Sequence, residues 1–82
     1  MRKFETQFQT YTESGIVESN CADITFVNTG TDDVIINGSL TLTTDASISI
    51  QAEAWEMNTT KFNVVFSTSV APSLLVIRKH YV

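Results

Sequence analysis

Between Ile24 and Ile50 apolar and polar residues alternate in short runs, and the groups Asn28-Thr29-Gly30-Thr31-Asp32-Asp33, Asn37-Gly38 and Thr44-Asp45 interrupt them. Period-two alternation sends successive side chains to opposite faces of an extended strand, and runs this short cannot build the apolar stripe of a helix. Ile24 and Phe26 therefore share one face, and the turn that follows leaves Gly30 free to take positive φ. A strand is expected from Val34 to Asn37. Asn37-Gly38 then reads as a tight type I′ hairpin turn into Ser39 to Thr43, with Leu40 and Leu42 pointing inward. Thr44-Asp45 turns the chain again into Ile48 and Ile50. The expectation is four strands in a meander.

The flanks carry the same period. Phe4-Glu5-Thr6-Gln7-Phe8-Gln9-Thr10-Tyr11 alternates throughout, and Glu13-Ser14-Gly15 breaks the run ahead of Ile16 and Val17. Gln51 to Met57 is the one segment with helical propensity, and its length allows a single turn of helix or an irregular crossing. Lys61 to Phe66 resumes strict alternation, Ser67 to Ser73 with Pro72 is a loop, and Leu74 to Tyr81 is a last strand with apolar side chains on both faces. Burial on two sides suits a central strand or an interface.

With 82 residues there is room for one domain spanning residues 1–82, and such a chain buries only ~60 to 65% of the surface it exposes unfolded. Twelve Thr and eight Ser replace the charged residues that a soluble domain usually carries, and β-branched Thr packs well on half-buried pleated surfaces. Six to eight short antiparallel strands in this length predict an all-β, single-domain β-sandwich, immunoglobulin-like or a reduced jelly roll, with a small open barrel as the rival.

Charge is sorted along the chain. All nine carboxylates lie between Phe4 and Thr60 with no Lys or Arg among them, while Arg2, Lys3, Lys61, Arg78 and Lys79 lie outside. If the first and last strands are neighbours, Arg2, Lys3, Arg78 and Lys79 gather on one flank of an acidic body, which docks in one orientation. A net charge of −4 with five dispersed cations excludes a continuous phosphate-binding stripe, so nucleic acid is not an expected partner. A single cysteine, Cys21, forms no internal disulfide and favours a reducing site of synthesis. Met1 to Gln7 turns polar without a signal-peptide hydrophobic stretch, and no window approaches the ~20 apolar residues of a membrane span. Synthesis in the cytoplasm and no membrane partner are the expectations.

Catalytic patterns are few. Cys21 and His80 are distant in sequence with no third residue to orient them, so Cys21 reads as buried or incidental. His80 has no second His or Cys at ligand spacing and reads as a surface or interface residue. Asp32, Asp33 and Asp45 lie in turns that could converge on Ca²⁺, against the commoner reading of solvated turn carboxylates. A core this small leaves little room for a sugar cleft with paired carboxylates. No enzyme activity, cofactor, metal or small-molecule substrate is expected. Trp55, the sole Trp, either plugs an open end of the sandwich or anchors a partner.

Phe26-Val27-Asn28-Thr29-Gly30, Val34-Ile35-Ile36-Asn37-Gly38, Ser47-Ile48-Ser49-Ile50, Thr59-Thr60-Lys61-Phe62 and Leu75-Val76-Ile77-Arg78-Lys79-His80-Tyr81 follow one another in an order that resembles small β-rich virion proteins of tailed bacteriophages with Bacteroidetes-type hosts. The resemblance runs from Asp23 to Tyr81 and leaves Met1 to Ala22 outside. It implies a structural component of the virion: a capsid decoration or cementing protein, a vertex or fibre subunit, or a tail accessory. Its partners would be other copies of itself and larger virion proteins. A β-sandwich binding module for cell-surface or carbohydrate recognition is the alternative. The interface candidates are Arg2, Lys3, Trp55, Arg78, Lys79 and Tyr81.

Overall fold

The computed structural model describes residues 3–51, 56–68 and 70–81. Each alternating run becomes a strand: β1 (Phe4–Tyr11), β2 (Gly15–Glu18), β3 (Asp23–Asn28), β4 (Val34–Ile36), β5 (Leu40–Leu42), β6 (Ser47–Ile50), β7 (Lys61–Phe66) and β8 (Leu74–Tyr81). There is no helix among the described residues. Gln51, Glu56 and Met57 are irregular, and the rest of the segment given helical propensity, Trp55 included, lies outside the described residues.

The strands form two antiparallel sheets, in the orders β1-β8-β3-β6 and β2-β7-β4-β5. The pairs β1 with β8, β2 with β7, β3 with β6 and β4 with β5 are nested, each enclosing the next along the chain. That is a long hairpin rolled into two layers, the jelly-roll connection, and it decides against the immunoglobulin-like order.

The expected meander is corrected. Asn37 and Gly38 have φ of 53° and 72°, the signature of a type I′ turn, and Ser39 N donates to the Ile36 carbonyl at 3.3 Å. This is the hairpin that joins β4 to β5. The turns on either side do not fold back. Thr29 N and Gly30 N both donate to the Ser73 carbonyl at 3.1 Å, which ties the β3–β4 connection to the β7–β8 loop and carries the chain across to the second sheet. At the other end Asp45 N donates to the Asn28 carbonyl and Asn28 N to the Ala46 carbonyl, each at 2.9 Å, so β6 returns beside β3.

Gly30 is needed for a different reason from the one its turn suggests. Its φ is not positive; among the glycines only Gly38 has that handedness. A Cβ on Gly30 would press on the Ala71 carbonyl oxygen and stand 2.8 Å from Ser73 N, both backbone atoms that cannot swing aside. Close approach of two loops, not a left-handed conformation, excludes a side chain here.

The inward rows fill the space between the sheets with Ile24 and Phe26 of β3, Val34 and Ile36 of β4, Leu42 of β5, Phe62, Val64 and Phe66 of β7, and Leu74 and Val76 of β8. Phe26 and Phe62 meet edge to face across the layers, ring centres 5.0 Å apart at 70°. Each such side chain contributes about 1.5 to 3 kcal/mol by leaving water. Asn28 is wholly buried and fully used: its Nδ2 donates to the carbonyls of Asp32 (2.7 Å) and Leu42 (2.9 Å), and its Oδ1 accepts from Gly30 N (3.1 Å). β1 adds only the half-buried Tyr11 to this core.

Candidate functional site

The expectation that the first and last strands are neighbours is met: β1 pairs with β8 along its whole length, from Phe4 opposite Tyr81 to Tyr11 opposite Leu74. Together with β3 and β6 this register lays out the outward face of one sheet in rows. Phe4 stands beside Tyr81; Thr6, Lys79 and Asp23 follow; then Phe8, Ile77, Thr25 and Ser49; then Thr10, Leu75, Val27 and Ser47. The apolar members are concentrated on β1 and β8. Phe4 is 54% exposed and Phe8 65%, and Leu75, Ile77, Val27 and Tyr81 are half-buried. The core closes without any of them. Exposed apolar pairs, here Phe4 with Tyr81 and Phe8 with Ile77 on either side of the Thr6–Lys79 row, bordered by polar side chains, are a form that interaction surfaces take.

Lys79 is set into this strip. Its Nζ lies 3.7 Å from Asp23 Oδ2, 4.7 Å from the centre of the Phe4 ring and 5.2 Å from that of Tyr81. An ammonium between two aromatic faces and a carboxylate is held by electrostatic attraction on three sides. The outward face of β1 and β8 is therefore aromatic, ordered and almost neutral, rather than a basic patch.

Arg78 is placed otherwise than expected. Strand alternation turns it away from Lys79 to the inner face, where it is 5% exposed. Its Nε donates to the Glu18 carbonyl at 3.0 Å, and its two terminal nitrogens donate to Gln9 Oε1 and to the Tyr11 hydroxyl, each at 2.9 Å. Tyr11 closes the triangle by donating to Gln9 Oε1 at 2.9 Å. The planar guanidinium thus stitches β1, β2 and β8 together at the edge of the core, a geometry that needs an Arg fork. It forms no ion pair among the described residues. As an interface candidate Arg78 is withdrawn, and the basic flank loses one of its expected members.

Of the remaining candidates, Lys3 is exposed just before β1, Tyr81 lies at the end of the outward strip, and Arg2 and Trp55 lie outside the described residues. Two exposed residues that charge-based reasoning passed over, Phe4 and Phe8, dominate the strip. Their signal was present in the alternation of β1, where Phe4, Thr6, Phe8 and Thr10 occupy one row.

Cys21, His80 and the turn aspartates stand apart from one another along the chain. Cys21 is 1% exposed, and its burial pushes the thiol pKa up from 9.0 against the opposing pull of nearby Arg78, so little thiolate exists to act as a nucleophile. His80 Nε2 shares a hydrogen bond with Gln7 Oε1 at 3.2 Å. Asp33 and Asp45 are exposed while Asp32 is buried with Oδ2 unpartnered, and among the described residues no three His, Cys, Asp or Glu side chains gather to hold a metal. No described helix is long and apolar enough to cross a membrane.

Comparison with protein-family models, with curated proteins and with solved structures gives no match.

Proposed function

We propose that this chain is a non-enzymatic structural protein of a virus particle, a small capsid decoration or cementing subunit, a vertex or fibre subunit, or a tail accessory, acting through protein–protein docking. The observation that carries the reading is the outward strip of Phe4, Phe8, Leu75, Ile77 and Tyr81, which contributes nothing to the core. The resemblance of the motif order to that of small bacteriophage virion proteins supports the same reading, as does a jelly roll, an architecture that recurs in viral capsid proteins. Fold alone does not assign a role; the strip supplies the physical means.

The test is mass spectrometry of purified particles from cells producing this chain, with its copy number measured against the major shell protein. Stoichiometric presence, lost on Phe4→Ser while the soluble domain still melts cooperatively, supports the proposal. Absence from purified particles, or incorporation indifferent to Phe4, Phe8 and Ile77 replaced together by Ser, refutes it.

A further inference from the structure

A sheet edge exposes a row of unpaired backbone N–H and C=O groups, and proteins that remain monomeric blunt such edges with short strands, Pro, bulges or inward-pointing charge. Three of the four edges here are blunted by length: β2 has four residues, β5 three and β6 four. The fourth is not. β1 has eight residues, no Pro and one charged side chain, Glu5, which is on the inward row but exposed. Its register with β8 runs unbroken through all eight positions, so no bulge twists it away. Among the described residues β8 is its only strand partner, and every residue of β1 but Tyr11 is exposed, on both faces of the sheet.

We propose that this edge pairs with the same edge of a second copy, antiparallel about a two-fold axis, joining two four-stranded sheets into one continuous sheet. The choice of a second copy rests on self-complementarity. With the axis at Gln7, Phe4 faces Thr10 of the other copy, Glu5 faces Gln9 and Thr6 faces Phe8, so each outward residue meets an outward residue and each inward residue an inward one. Moving the axis to Thr6 sets Phe4 against Phe8 and Glu5 against Gln7. Moving it to Phe8 sets Phe8 against itself and Glu5 against Tyr11. In none of these registers does carboxylate face carboxylate. With the axis at Thr6 or Gln7 the Phe4 and Phe8 side chains of the two copies are direct or diagonal neighbours; with the axis at Phe8 only the two Phe8 side chains meet.

With the axis at Gln7 or Phe8 seven residues of each β1 pair, and at ~3.4 Å each they make a shared edge about 24 Å long. Strand pairing over that length lies at the low end of specific interfaces, below about 1,200 Å², and the four Phe side chains extend it. The dimer is accordingly reversible, with a dissociation constant in the micromolar range. It forms whether or not the protein belongs to a particle, so its failure leaves the virion reading standing, and the reverse also holds.

Sedimentation equilibrium of the full chain from ~1 to ~500 μM tests it. A monomer–dimer equilibrium is expected. Phe8→Lys, which brings two ammonium groups together near the axis, weakens it at least ~10-fold while the melting midpoint holds, because Phe8 is 65% exposed and outside the core. Thr25→Lys, on the same face but two strands from the edge, leaves the constant unchanged. Single cysteines at Thr6, Gln7 and Phe8 provide a second readout: the one on or beside the axis oxidises readily to a disulfide-linked dimer. A chain monomeric throughout this range, equal weakening by Thr25→Lys and Phe8→Lys, or no oxidised dimer at any of the three positions overturns the proposal. The first of these outcomes would hand the edge to a strand of another protein, and the second would mean that copies stack face to face.

Discussion

Single side chains in this molecule divide by which way the strand turns them, and Arg78 and Lys79 are the sharpest case. The two adjacent cations do different work. Lys79 organises the outward aromatic strip, whereas Arg78 satisfies three acceptors at the core's edge. Arg78→Gln leaves part-buried acceptors without donors and should lower unfolding free energy by about 1 to 3 kcal/mol in chemical denaturation; Lys79→Gln should cost under about 1 kcal/mol by the same measurement. Equal losses would mean that Arg78 is not the stitch described. Cys21 supplies a pH dependence. Because burial raises its thiol pKa above 9.0, the folded state holds the proton more tightly than the unfolded one. That stabilisation is fully present below about pH 9 and is lost as pH rises through the raised folded value. The melting midpoint should therefore fall as pH rises above about 9, and less steeply in Cys21→Ala. Parallel profiles for the two proteins would show that other groups cause the decline. Arg78 also marks a limit of sequence reading: its charge suggested a surface, and only the period counted on from Leu74 and Val76 places it on the inner row.

At the scale of the strand, alternation and turn residues located every element, because the pleat fixes which residues face in as soon as the run is known to be extended. They did not show which strand sits beside which. The hairpin at Asn37-Gly38 was legible, since two adjacent residues with positive φ are a local demand that Asn and Gly meet. The crossings on either side depend on hydrogen bonds from Thr29 and Gly30 to Ser73 and from Asp45 to Asn28, partners remote or invisible in a local window. Gly38→Val tests the hairpin. Open space surrounds the position, so the cost is conformational alone, about 1 to 3 kcal/mol. Asn37 is also held to β7, its backbone N donating to the Asn63 carbonyl and its Oδ1 accepting from Asn63 N, both at 2.8 Å, so a disturbed turn loosens β7 as well. A lowered melting midpoint with faster amide exchange in β4, β5 and β7 is the expected result. An unchanged midpoint would contradict the turn geometry.

At the scale of the whole molecule, two of the four cations expected to make a basic flank are engaged elsewhere. Arg78 is buried and Lys79 lies against Asp23, which leaves copies of net charge −4 meeting along an apolar, nearly uncharged edge. Their mutual repulsion is screened over a Debye length of ~8 Å near physiological ionic strength. Raising salt from low to physiological levels should therefore strengthen self-association measured by sedimentation; weakening would restore the basic flank as the docking element. The candidate surface was thus legible in its location, the first and last strands, but not in its character, because alternation hides one of two neighbouring cations and exposes the aromatics beside the other. The nested pairing carries a consequence in time. β8 lies between β1 and β3, yet it follows all seven other strands in the chain. On the ribosome the inward row of Ile24 and Phe26 waits unflanked, and β1 has nothing to pair with, until Leu74 to Tyr81 has cleared the exit tunnel. Folding of this domain therefore waits for β8, and until then both edges of β1 are unpaired.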